Sequence, residues 1–418
     1  MIQFNRFILD NGLRVIVHED DTSPMSVVNI MYNVGARNED EEHTGFAHLF
    51  EHLMFGGSTN IPDFDEPLQR VGGENNAYTT NDLTNYYEQL PSANLETALW
   101  LESDRMLSLD FNQKSLDVQR KVVSEEFKEH YINKPYGDLA KIVREQSYEK
   151  HPYRWMTIGK ELAHIENATL EDVKSFFYEY YRPDNAILVV AGNVKTEDVR
   201  QLVEKWFGDI PRGTVSHHSL PMEPQQSAAK RISVEKDVPV DVLVKSWHMV
   251  SRLDPDYYAT DLLTDILGGG ASSRLYQKLV KENQFFSSID CSHTGSVDAG
   301  LVSVQGKLVK GISIDVAEAA VDKEIKKIAA EKIAEKELEK VKNKTESMMA
   351  FEDLGLMSRA SNLAFYELLG NVNLINTELD LYQNVTTDDI LRVASTLFRE
   401  SNSNTVHYLS KQNQQNAQ

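Results

Sequence analysis

One pattern occurs twice in this chain, and nothing else in the sequence restricts the possible folds so much. Thr169-Leu170-Glu171-Asp172-Val173 and Thr386-Thr387-Asp388-Asp389-Ile390 start similar helices 217 residues apart (169 against 386). The same offset sets Tyr181-Arg182-Pro183-Asp184-Asn185 opposite Phe398-Arg399-Glu400-Ser401-Asn402, and each of these runs into an apolar strand, 187–191 and 405–409. Helix, Arg-containing corner and strand recur in order, as they do when a structural unit is duplicated. Chance is the competing explanation at this level of identity; the reading taken is two related halves. A length of 418 residues suits two domains better than one core. The expected fold class is α+β, with two homologous domains, each an antiparallel-rich sheet packed with helices. Residues 211–230, PRGTVSHHSLPMEPQQSAAK, are rich in Pro, Ser and Gln and read as a linker. The expected domains are therefore 1–210 and 231–418.

Within the first half, 6–9 and 13–18 flank Asp10-Asn11-Gly12 and read as a hairpin. Residues 26–34 read as a further strand and 39–42 as a charged loop. A helix is expected over 44–55, ending at Gly56-Gly57. A Thr- and Tyr-rich strand follows at 78–89, then helices at 95–107 and 113–131. In the second half, 314–349 reads as one long charged helix with a solvated face.

Net charge is −21, which argues against nucleic acid as a partner, because phosphate contacts need clustered Lys and Arg. The single cysteine, Cys291, rules out an intrachain disulfide and any site built on several thiolates. No run of 18 apolar residues offers a membrane span, and the first residues do not read as a signal peptide. A cytoplasmic location is expected, unless a leader has been removed.

The chemistry is concentrated in Gly45-Phe46-Ala47-His48-Leu49-Phe50-Glu51-His52-Leu53. Helical residues four apart share a face, so His48 and His52 can reach one ion. Imidazole is a preferred zinc ligand, and catalytic zinc takes three protein ligands. Glu51 is placed to stand beside the metal and accept a proton from water. The pattern is H-x-x-E-H, the inverzincin signature. An ordinary amphipathic helix with solvated histidines is the plainer alternative. It is weakened by the apolar neighbours, among which ionisable groups need partners. A third ligand must come from elsewhere. The helix Val118-Gln119-Arg120-Lys121-Val122-Val123-Ser124-Glu125-Glu126-Phe127 offers adjacent carboxylates about 100° apart, of which one can face the metal. Glu126, four residues after Val122 on what reads as the buried side, is favoured over Glu125.

These motifs, together with Gly72-Gly73-Glu74-Asn75-Asn76-Ala77-Tyr78-Thr79, Tyr181-Arg182-Pro183 and Gly268-Gly269-Gly270-Ala271-Ser272-Ser273-Arg274-Leu275, resemble the peptidases that include pitrilysin, insulin-degrading enzyme and the mitochondrial processing peptidase. Bacterial members of about this length are the nearest in form. The resemblance spans nearly the whole chain. It implies a Zn2+ ion held by His48, His52 and Glu126, with Glu51 as general base. Asn76, Ala77 and Tyr78 would form an edge strand that pairs with a peptide substrate by β-augmentation. It further implies a chamber, enclosed by two halves or by two chains, in which unfolded peptides are cut.

Two positions depart from the family pattern. Gln119 stands where members usually carry a second glutamate. Val280 and Ser287 stand where active members carry an Arg and a Tyr that hold the substrate and polarise its carbonyl. The expected protein is a zinc endopeptidase subunit completed by a paralogous partner, as a heterodimer; a homodimer and a non-catalytic structural or peptide-binding subunit are the alternatives. His43, His130, His151, His164, His248 and His293 are read as surface or hydrogen-bonded core residues, and His217-His218 as a place for stray metal. Gly268-Gly269-Gly270 lacks the Gly-Lys-Ser/Thr of a phosphate loop and reads as a turn.

Overall fold

The computed structural model of the chain describes residues 1–213 and 220–411, so His217 and His218 lie outside the described residues. The chain forms two compact units. The first comprises Met1–Glu129, Trp155–Leu220 and Met349–Thr377. Its sheet has six strands, β1 (Asn5–Ile8), β2 (Arg14–Glu19), β3 (Met25–Tyr32), β4 (Glu74–Thr79), β5 (Thr84–Pro91) and β6 (Ala186–Gly192), in the order β1-β2-β6-β3-β5-β4. Only β2 and β6 pair in parallel. All seven residues of β6, Ala-Ile-Leu-Val-Val-Ala-Gly, are buried, as expected of a central strand covered on both faces. β4 lies at the edge and alternates exposed with half-buried residues.

The second unit comprises His130–Arg154, Pro221–Met348 and Glu378–Gln418. Its strands are β7 (Lys230–Lys236), β8 (Val242–His248), β9 (Phe286–His293), β10 (Leu301–Leu308) and β11 (Ser403–Ser410), in the order β7-β11-β8-β10-β9. Again one pair is parallel, β7 with β11. Without β1, the first sheet has the same order and the same strand directions. The offset of 217 carries β3 onto β8, β5 onto β10 and β6 onto β11. It also superposes the helix Leu170–Tyr180 on Thr387–Leu397. Both helices open with a capping box, Thr169 with Asp172 and Thr386 with Asp389. The repeat legible in the sequence is a duplicated α+β fold.

The units are not the continuous stretches 1–210 and 231–418. The main division, between Leu220 and Pro221, falls inside 211–230, but 130–154 and 349–377 are traded. Helix Leu139–Ser147 belongs to the second unit, where Leu139 and Val143 are buried with Val242, Val244, Val406 and Tyr408. Its counterpart by the offset, helix Leu356–Leu368, belongs to the first and packs on β3 and β6. Each sheet is covered by the helix that the other half of the sequence encodes.

Local differences are smaller. The strand expected over 78–89 is the β4–β5 hairpin, turned at 80–83. The helix expected over 314–349 is two, Ile314–Ala330 and Glu335–Glu352. The helix expected over 113–131 is α-helical for Gln113–Phe127 and widens to a π-helix over Lys128–Asn133.

Candidate metal centre

The helix carrying His48, Glu51 and His52 runs from Phe46 to Leu53. Its start depends on Glu39, which is buried rather than part of a charged loop. The Glu39 carboxylate accepts hydrogen bonds from the backbone N–H of Gly45 and of Ala47, both 2.9 Å, and from Trp155 Nε1 at 3.1 Å. It thereby satisfies N–H groups that a helix start leaves without partners, at the positive end of the helix dipole. Burial pushes its carboxyl up to about 8, against the pull of those donors. Gly45 holds φ at +88°, and a side chain there would press on the Ile158 carbonyl. Phe46, Ala47, Leu49, Phe50 and Leu53 bury one face, with Phe50 stacked on Phe176 and Tyr181. That packing fixes the helix rotation and leaves His48, Glu51 and His52 half-buried on the other side.

Glu126 comes to meet them. Helix Gln113–Phe127 is capped by Asn112, whose side chain accepts from Ser115 N at 2.7 Å. Leu116, Val123 and Phe127 are buried along it. Val122 is 40% exposed, so the face shared by Val122 and Glu126 is open rather than the buried side. Glu125 is exposed and pairs with Lys128 Nζ at 2.8 Å. Glu126 Oε2 lies 3.4 Å from His52 Nε2 and 3.8 Å from His48 Nε2. One ligand atom from each of the three residues falls within 4.8 Å of the others. Zinc with bonds of 2.0–2.1 Å sets tetrahedral ligand atoms about 3.4 Å apart, so two imidazoles and one carboxylate fit that ion in number, kind and spacing. The other cluster of this kind among the described residues, Asp315, Glu318 and His407, is different. Glu318 is already paired with Arg231 at 2.6 Å, Lys245 at 3.0 Å and His407 at 2.7 Å, which leaves no charge for a cation.

Glu51 faces the edge strand. Thr79 Oγ1, on β4, donates to Glu51 Oε2 at 2.6 Å. Burial raises the Glu51 carboxyl above its ordinary range, and the Thr79 hydrogen bond and His52 oppose the shift. Two residues before Thr79, the Ala77 N–H donates to the Asn76 side-chain oxygen at 2.8 Å. A peptide strand added to this edge would replace that local acceptor. Neither Thr79 nor Glu39 stands out in the sequence as a site residue. Thr79 closes the Asn-Ala-Tyr-Thr run, which is its only signal.

The description "Insulinase (Peptidase family M16)" fits residues 14–159, and "Peptidase M16 inactive domain" fits 167–345. Zinc protease PqqE of Helicobacter pylori is 30% identical over 410 residues, 95% of this chain and 91% of its own length. The chain belongs to peptidase family M16. Among solved structures, a protease from Helicobacter pylori matches with a TM-score of 0.91 at 28% identity, covering 98% of this chain and all of that one. Pitrilysin shares the fold, with a TM-score of 0.76 at 17% identity; 98% of this chain corresponds to 45% of the pitrilysin chain.

The three positions expected to depart from the family pattern have plain structural settings. Gln119 is half-buried two turns before Glu126. Val280 is half-buried in the π-helix Tyr276–Glu282. Ser287 is exposed on β9, its hydroxyl donating to the Lys307 carbonyl at 3.1 Å. His164 bonds Thr44 Oγ1 at 2.8 Å, His248 the Ser147 carbonyl at 3.0 Å, and His293 Asp261 at 2.9 Å.

Proposed function

We propose that this chain is the zinc-bearing subunit of an endopeptidase that hydrolyses peptides or unfolded polypeptides in an enclosed chamber. The reading is carried by one observation: His48, His52 and Glu126 converge while Glu51, beside them, is tied to the edge strand a substrate would extend. His48, His52 and Glu126 would hold the ion. Zinc, when bound, supplies Lewis acidity that polarises a carbonyl and makes water nucleophilic near neutral pH. The chain's own groups do the rest. The outer edge of β4, at Asn76, Ala77 and Tyr78, binds the peptide main chain as an added strand and tolerates many sequences. Glu51 accepts the proton of the attacking water and returns it to the departing amine nitrogen as the C–N bond breaks. Thr79 holds one Glu51 oxygen and so orients the other.

Neither Val280 nor Ser287 can donate to the developing oxyanion. Losing such a donor costs about 10² to 10³ in rate. A paralogous chain carrying Arg and Tyr at those positions would complete the site in a heterodimer. The correspondence of this chain to less than half of pitrilysin supports a chamber made from two such lengths.

The test has two parts. Purified protein should carry about one zinc per chain, since three protein ligands leave one open position. Glu51→Gln should keep the metal and lose roughly 10²- to 10⁴-fold in hydrolysis, measured with the partner present. Wild-type turnover in Glu51→Gln would remove the proposed base. The settings of Val280 and Ser287 favour one second reading, a peptide-binding subunit without catalysis. Zinc binding without hydrolysis in any pairing would establish it.

A further inference from the structure

The second unit contains a cavity of about 270 Å³ whose walls include Met249, Val393 and Leu397, with Gln226 and Arg399 among its polar lining. The duplication explains why it is there. The helix Leu170–Tyr180 is the counterpart of Thr387–Leu397, so Val393 replaces Phe176 and Leu397 replaces Tyr180. In the first unit those two positions carry aromatic side chains, Phe176 stacked on Phe50 and Tyr180 donating to the Asn38 carbonyl at 3.1 Å. The corner that follows is conserved in geometry. Asn185 Nδ2 donates to the Tyr180 carbonyl, and its counterpart Asn402 Nδ2 donates to the Leu397 carbonyl, both at 2.9 Å. The second unit therefore keeps the corner and carries smaller side chains, Val393 and Leu397, beside it.

The polar groups changed with it. Arg182 is neutralised by Asp184 at 3.1 Å. Its counterpart Arg399 has a serine, Ser401, at the position matching Asp184 and uses only Nε, toward the Thr396 carbonyl at 2.9 Å. Its terminal nitrogens have no partner among the described residues. Gln226 spends its amide nitrogen on the Ala228 and Ser403 carbonyls, both at 2.9 Å. Its Oε1 is buried and has no partner among the described residues. A buried acceptor left in that state is costly until something donates to it.

We infer that this cavity binds the C-terminal residue of a peptide when that residue is aromatic or large and aliphatic. The side chain would fill the space beside Val393 and Leu397; an apolar cavity of about 150 Å³ already holds benzene. The free α-carboxylate would pair with the Arg399 guanidinium. The residue's N–H would donate to Gln226 Oε1. The site lies wholly within the second unit and needs no metal, so it stands or falls separately from the zinc reading.

Calorimetric titration of the full-length protein with N-acetyl-L-phenylalanine tests it. A Kd near or below about 1 mM is expected, an ordinary affinity for so small a probe. The C-terminal amide of the same compound should bind at least about tenfold more weakly, as should Arg399→Gln with the acid, because each removes the charge pair. Val393→Phe/Leu397→Tyr, which restores the duplicate's aromatic side chains, should abolish binding; Arg399 is exposed, so its variant serves if the double variant does not fold. His48→Ala/His52→Ala should bind the probe as the wild type does. Absence of binding at millimolar probe, or undiminished binding in Arg399→Gln, would overturn the assignment. Equal affinity for 3-phenylpropionate, which has no amide N–H, would overturn it in favour of a small aromatic acid.

Discussion

The two units place corresponding helices in corresponding positions, and among the described residues only the first brings two imidazoles and a carboxylate together on them. The offset of 217 carries His48 to Asp265, Glu51 to Gly268, His52 to Gly269 and Glu126 to Asn343. Where the first unit brings two imidazoles to a carboxylate, the second has an ion pair, Lys344 Nζ to Asp265 Oδ1 at 2.8 Å. The distance between helix and edge strand differs as well. A methyl group at Gly268 would overlap the backbone N of Cys291 on β9, so that helix lies directly against its edge strand. In the first unit, Glu51 and the Thr79 hydroxyl stand between helix and β4. The scaffold alone does not gather such a cluster. It needs the ligand set and a gap wide enough for a carboxylate.

The strongest way to break this contrast is to write the second unit's residues into the first. His48→Asp/His52→Gly should reduce zinc from about one per chain to background and lower hydrolysis by more than the roughly 10²- to 10⁴-fold a general base alone is worth. Zinc retained at full stoichiometry would mean that the ligands lie elsewhere. Next in size, Gly268→Ala should destabilise the protein by about 3 kcal/mol through overpacking, read from its urea midpoint. An unchanged midpoint would show that the helix and β9 have room to part. Thr79→Val should lower kcat about tenfold with KM and zinc content unchanged, and Thr79→Ser should restore it, if Thr79 acts by orienting Glu51. A change in KM alone would place Thr79 in peptide binding instead. Smallest of all, Lys344→Met should cost less than about 1 kcal/mol and less still in high salt, since that pair is partly exposed. A much larger loss would make the ion pair a structural replacement for the metal.

How far the site could be read from the sequence follows from how local its signals are. His48, Glu51 and His52 are legible because one turn of helix sets their geometry. Glu126 is legible by periodicity, although the face it shares with Val122 is open rather than buried: a residue beside an open site sits on an exposed stripe. Glu39 resembles its exposed neighbours Glu41 and Glu42 in sequence, and only the fold returns it to the helix start. The β4–β5 turn is hard to see in the sequence because Thr-Thr-Asn-Asp interrupts a run rich in strand-forming residues without a Gly or Pro. The break at 331–334 has neither residue, so packing overrides a strong helical preference there. The trade of helices was invisible for another reason. Leu139–Ser147 and Leu356–Leu368 are both amphipathic, and either pattern suits either sheet.

That trade has a consequence for how the protein is made. A ribosome that has released Leu220 has produced six strands of the first sheet and not the helix Leu356–Leu368 that packs on β3 and β6. All of Pro221–Met348 must emerge before that helix does. At 5–20 residues per second, the surface of β3 and β6 that this helix covers waits on the order of ten seconds or more for its cover. The amino-terminal half, made alone, lacks part of its own core. A chain that ends near residue 220 is therefore expected to aggregate rather than fold by itself.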